Sequence, residues 1–183
     1  MENKNNLLLG PRKHINGQVG GIVVSFEIFL KELDRKRIKY DVIDTNKRNY
    51  NNLIIAFLKI YFKIFIKIRR VSFISIHGTA NDFATIAPIV VLLSNIFKKK
   101  VCLIKFAGNL AKILENSNKF YKSLVKFALK NSNIIFFQTK YLVNYFSKYN
   151  KETYWFPTSR PAHKIKKTNY NYKKKFIFLG HIR

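Results

Sequence analysis

The sequence predicts an α/β fold, a parallel sheet with helices on both faces. Three observations carry that prediction. Short runs rich in Leu, Ile, Val and Phe alternate with longer stretches whose apolar residues recur at helical spacing. Several of the short runs end in Gly or a small polar residue, the usual punctuation between a strand and a loop. The alternation fills most of a 183-residue chain, which has room for one core of ordinary domain size.

Taken in order, Leu7, Leu8 and Leu9 form a first strand closed by Gly10 and Pro11. A polar loop over 12–21 leads into a helix over 22–37, where Val23, Phe26, Phe29, Leu30 and Leu33 fall at helical spacing. Residues 40–43 form a short strand, and Asn51 and Asn52 start a helix over 53–68. The next strand, 71–76, ends at His77 and Gly78. A largely apolar helix over 85–97 carries Pro88 in its first turn, where a missing N–H costs nothing. A buried strand over 101–106 runs into Gly108 and Asn109. The helix over 119–130 places Phe120, Leu124, Phe127 and Ala128 on one face. A strand over 134–137, a helix over 141–149 and a short strand over 154–156 complete the series before Pro157. Residues 160–175 contain Pro161, no acid and many basic residues, the composition of an interdomain linker. Residues 176–183 resemble the first strand of another domain. The expected organisation is therefore one domain over 1–159, the linker, and the opening of a second domain.

Composition narrows the function classes. With 48% hydrophobic and 24% charged residues the chain is globular. It carries 35 Lys and Arg against 9 Asp and Glu, a formal net charge of +26. Such a field attracts phosphates, anionic lipid surfaces or nucleic acid. Cys102 is the single cysteine, so no disulfide framework or cysteine metal site is expected, and a reducing compartment is the simplest setting. No secretory leader is visible. No segment reaches the roughly 20 apolar residues of a membrane span; the longest, 53–68, is interrupted by Lys59 and Lys63.

Three groups of residues are candidates for chemistry. Gly20 and Gly21 lie between the first strand and first helix, where paired glycines let backbone N–H groups approach a phosphate. The spacing is not that of a dinucleotide fingerprint, which disfavours hydride transfer. His77 with Gly78, Gly108 with Asn109, and Gln138 with Thr139 each follow a strand, so they converge on one sheet edge. Lys59, Lys63 and Lys67 form one stripe on a helix that is otherwise almost wholly apolar, a composition suited to an anionic bilayer surface. The same helix packed on two sides within the fold is the competing expectation. Nucleophile elbows, zinc-protease motifs and phosphate-binding loops of the P-loop type are absent, and no catalytic residue can be named.

Taken together, the ordered pieces resemble the N-terminal domain of a family 4 glycosyltransferase of the two-domain GT-B fold, with a Rossmann-like sheet. Bacterial enzymes that build O-antigen and other lipopolysaccharide or capsule chains are the most similar. The pieces are Gly20-Gly21, Ser75-Ile76-His77-Gly78-Thr79, the run from Lys99 to Asn109, Gln138-Thr139-Lys140-Tyr141-Leu142, and Trp155-Phe156-Pro157-Thr158-Ser159-Arg160. The resemblance implies retaining transfer of a sugar from a nucleotide-sugar donor to a lipid-linked saccharide acceptor. No cofactor or metal is implied beyond the nucleotide-sugar, and nucleic acid is not an expected partner. It implies that Gly20 and Gly21 face the donor diphosphate, while His77, Gly78, Gly108, Asn109 and Thr139 line the acceptor side. It also implies a cytoplasmic protein held peripherally at the anionic inner membrane face. Many relatives carry a histidine where this chain has Ala107-Gly108-Asn109, so that histidine's role has no counterpart here. The donor-binding motifs of the second domain are absent, and the 183 residues alone are expected to be inactive. The rival expectation is a basic nucleic-acid-binding protein or a non-catalytic membrane-surface protein.

Overall fold

Three consecutive leucines begin the sheet. Leu7, Leu8 and Leu9 lie in β1 (Asn6–Gly10) and all are buried, because β1 is covered on both faces. Leu7 and Leu9 enter one apolar cluster and Leu8 another, as the two-residue strand period requires. The computed structural model describes residues 5–14, 16–17, 20–106 and 108–157. After β1 come α1 (Gly21–Arg35), β2 (Tyr40–Asp44), α2 (Leu53–Ile68), β3 (Phe73–Gly78) and α3 (Ala80–Ile96). They are followed by β4 (Lys100–Lys105), α4 (Leu110–Glu115), α5 (Lys119–Asn131), β5 (Ile134–Phe137), α6 (Lys140–Phe146) and β6 (Thr153–Trp155).

Among the described residues, six strands form one sheet in the order β2-β1-β3-β4-β5-β6, and every neighbouring pair is parallel. This is the α/β, Rossmann-like architecture expected from the sequence. All six carboxyl ends therefore lie along one edge. The chain leaves β1 to one side for β2 and returns past it to β3, so the switch in strand order falls between β1 and β3. Helices cover both faces unequally. Phe26 and Leu30 of α1 pack with Leu8 on one face. Ile60, Ile64, Phe83, Val90, Val125 and Phe146, from α2, α3, α5 and α6, share the larger cluster on the other.

Three local expectations are corrected. α3 starts at Ala80 rather than 85, so Pro88 is buried in the helix interior and not in its first turn. The start is set by a capping box: Thr79 Oγ1 accepts from Asp82 N, and the Asp82 carboxylate accepts from Thr79 N at 2.8 Å. On α5 the buried residues are Val125, Ala128 and Leu129, whereas Phe120 and Phe127 are exposed. The short helix α4 fills a stretch given no element in the sequence reading. The expected linker over 160–175 and the strand over 176–183 lie outside the described residues.

Candidate functional site

The approach of α1 to β1 builds the site. A Cβ placed on Gly10 would come 2.6 Å from the Phe26 ring, so only glycine lets α1 lie this close to the strand end. The loop after Gly10 is tied to the segment after β2. Asp44 Oδ1 accepts from Arg12 N (2.9 Å) and Asn46 N (2.8 Å), and Asn46 Nδ2 donates to Arg12 O at 2.9 Å. Asn49 Nδ2 donates to Lys13 O (3.1 Å), and His14 Nε2 lies 3.2 Å from Arg48 O. Between this clamped loop, the start of α1 and the end of β3 lies a cleft of about 490 Å³. Pro11, His14, Gly20, Gly21, Asn46, Arg48 and Thr79 are among its lining residues. It occupies the switch point, where open parallel sheets present their ligand crevice.

Two helix N-termini meet there, and they differ. Gly20 caps α1 with extended backbone and no side-chain hydrogen bond. Among the described residues, a Cβ at Gly20 or Gly21 would meet nothing within 4 Å, so their packing does not demand glycine at either position. What glycine supplies is bare backbone bordering an open cleft, at the positive end of a helix dipole. The N-terminus of α3 is already occupied by Asp82. Its carboxylate accepts from Thr79 N and Oγ1 at 2.8 Å and pairs with Lys47 Nζ at 2.9 Å. Among the described residues, then, no side chain caps the α1 terminus, whereas a carboxylate fills that of α3.

The remaining candidates have local structural duties. Gly78 is needed because a Cβ there would lie 2.7 Å from Asp82 Cβ. Gly108 sits where a Cβ would be 3.3 Å from Thr139 Cγ2, bringing the loops after β4 and β5 together. Thr139 caps α6 through Leu142 N at 3.3 Å. Asn109 is exposed at the start of α4 and makes no side-chain capping hydrogen bond among the described residues.

His77 lies away from the switch-point cleft. It is 1% exposed, with ring centroids of Phe29 at 4.6 Å and Phe26 at 4.8 Å. Its Nε2 is 2.9 Å from Ser75 Oγ, and Nδ1 is buried without a hydrogen-bond partner among the described residues. Burial lowers its pKa to about 3, which keeps the ring neutral and weakly basic. It borders a smaller cavity of about 260 Å³ beneath α1, lined also by Phe29, Phe106 and Phe156. The structure therefore separates His77 from Gly20 and Gly21 instead of gathering them in one site.

Sequence reading missed Lys105, His14, Arg48 and Asp82. Lys105 ends β4 almost fully buried, and its ammonium donates to the Phe106 carbonyl. Burial lowers its pKa to about 8, against an opposing pull from Asp82. A lysine inside an apolar strand was the available signal. His14 and Arg48 come from loops 34 residues apart, and only the fold brings them together. On α2, Lys59 and Lys63 are exposed, while Lys67 pairs with Asp41 at 3.1 Å.

Fold and site define a class: an open, all-parallel α/β domain with a cleft at its switch point. No protein-family model matches the chain, and no curated protein matches it. Among the described residues, no helix is long and apolar enough to cross a membrane.

Proposed function

We propose that the chain forms the acceptor-side domain of a retaining glycosyltransferase of surface-polysaccharide assembly, with a nucleotide-sugar as donor and a lipid-linked saccharide as acceptor. One observation carries the reading: the N-terminus of α1, with its glycine pair and no side-chain cap among the described residues, opens on the switch-point cleft, while the neighbouring α3 terminus is filled by Asp82. That cleft suits the diphosphate of a donor held mainly by a partner domain. In the transfer, an acceptor hydroxyl oxygen bonds the anomeric carbon and the bond to the diphosphate breaks. The diphosphate departs with the bonding electrons, and the hydroxyl proton passes to one of its oxygens. The dipole of α1 stabilises the charge that develops on the leaving group. Gly108, Asn109 and Thr139 stand along the same carboxyl edge, where the acceptor saccharide would rest.

Amide NMR spectra of the chain test this reading. Titration with uridine diphosphate is expected to shift Gly20 and Gly21 with a Kd on the order of 1 mM, weak because the donor's main grip lies elsewhere. A polyisoprenyl-diphosphate saccharide should shift Gly108, Asn109 and Thr139. If neither ligand moves any carboxyl-edge amide, while single-stranded DNA binds with a steep salt dependence, the nucleic-acid reading replaces this one.

A further inference from the structure

We propose that the outward face of α2, continued by neighbouring parts of α3 and α5, is a docking surface for an anionic phospholipid bilayer. In α2 the buried stripe is Ala56, Ile60, Ile64 and Ile68, one residue per turn and all 0% exposed. Only this face is buried, so the helix is not packed on two sides. Successive residues advance by about 100°. Half a turn from the buried stripe stand Leu58 and Phe62, 65% and 66% exposed, flanked by Ile55, Phe65 and Ile66. A surface helix normally carries polar residues at that position. Here the crest farthest from the core is wholly apolar. The exposed lysines, Lys59 and Lys63, run along one flank of it, and Arg69 at the helix end stacks on Phe65 with 5.5 Å to the ring centroid. An apolar crest with cations at its margin is the arrangement of a helix lying in the interface plane.

The neighbouring helices extend the surface. Leu92 and Ile96 of α3 are exposed, as is Phe120 of α5 at 73%. A groove of about 430 Å³ runs between these helices, lined by Phe57, Tyr61, Pro88, Ile89 and Leu124. Charge selects the occupant. Neither α2 nor α5 contains an acid, and the one acid of α3, Asp82, is buried against Lys47. Lys119, Lys126 and Lys130 of α5 are exposed alongside. A second copy would bring like charges together on a chain of net charge +26. A bilayer offers a hydrocarbon phase to the crest and phosphates to the lysines together. The inference stands on this surface alone and does not require sugar transfer.

Flotation of the full chain with phosphatidylcholine vesicles, with and without phosphatidylglycerol, is the test. The chain should float with the anionic vesicles and bind the neutral ones far less. Leu58→Gln with Phe62→Gln should weaken binding roughly a hundredfold. Lys59→Glu with Lys63→Glu should weaken it at least about tenfold. Circular dichroism and thermal melting check that each variant is folded. Phe62→Trp in a Trp155→Phe background supplies a second readout: its fluorescence should be quenched by lipids brominated in the acyl chains. Unchanged flotation of the folded Leu58→Gln, Phe62→Gln variant, or absence of quenching in the bound protein, would reduce the binding to diffuse basic charge and overturn the proposal. So would a chain that ignores anionic vesicles but dimerises or binds polyglutamate through this face. Vesicle binding with no response to either uridine diphosphate or the saccharide would leave this inference intact and count against the glycosyltransferase reading.

Discussion

His77 shows how one residue can look like a ligand in sequence and behave as core in the fold. A histidine at a strand end beside glycine invites a catalytic role, yet its ring is enclosed by Phe26 and Phe29 and linked to Ser75. The energetic consequence has a definite sign. Desolvation lowers the folded-state pKa to about 3 from 6.5, so between these values the unfolded chain binds the extra proton. His77 therefore contributes stability that is present above pH 6.5 and lost as pH falls towards 3. The slope from this single site approaches about 1.4 kcal/mol per pH unit. His77→Leu, compared with the native chain by urea denaturation across this range, should flatten the acid limb by that amount. Parallel acid limbs in the two proteins would mean that the ring is solvated and free to serve chemistry.

Among the elements, α3 depends most on a few polar atoms. Its start is held by Thr79 and Asp82, and Asp82 is also the counter-charge of Lys47 and a nearby negative charge for buried Lys105. Asp82→Ala removes a helix cap and leaves two partly or fully buried cations without it. A loss of about 3 kcal/mol is expected, with Asp82→Asn recovering part of it through the cap alone. Urea midpoints measure both; a cost for Asp82→Ala near that of an ordinary surface change would show that Lys47 and Lys105 find equal partners elsewhere. The same element marks where local pattern fell short. Pro88 suggested a helix beginning just before it, but the tertiary burial of α3 tolerates proline in the interior, and the signal at Thr79-Ala80-Asn81-Asp82 set the true start. On α5 the large aromatics suggested the core face, whereas the sheet accepts the smaller set of Val125, Ala128 and Leu129. Strands were more legible, because runs such as Leu7 to Leu9 and Val101 to Ile104 are buried on both sides and admit no other placement.

For the whole molecule, the alternation of elements was enough to give an all-parallel sheet, and the glycine pair was enough to mark the start of α1. The cleft itself was not legible, since Pro11, Arg48 and Thr79 become neighbours only through the order β2-β1-β3. That topology also divides the molecule's stability. α1 joins a small cluster around Leu8, Phe26 and Leu30, while α2 to α6 share the large one. A helix held by fewer buried apolar groups opens locally before the rest unfolds. Amides in the middle of α1 should therefore exchange with solvent at a lower free energy than those of α3. Gly10→Ala sharpens the comparison, because its new Cβ would press on Phe26 from 2.6 Å. The strain, about 1–3 kcal/mol, should fall on α1 and raise its exchange while α3 keeps its own protection until global unfolding. If α1 and α3 exchange together in both proteins, the sheet and its helices form one cooperative unit. The cleft would then have no independently movable wall, and a ligand at Gly20 and Gly21 would have to be accepted without displacement of α1.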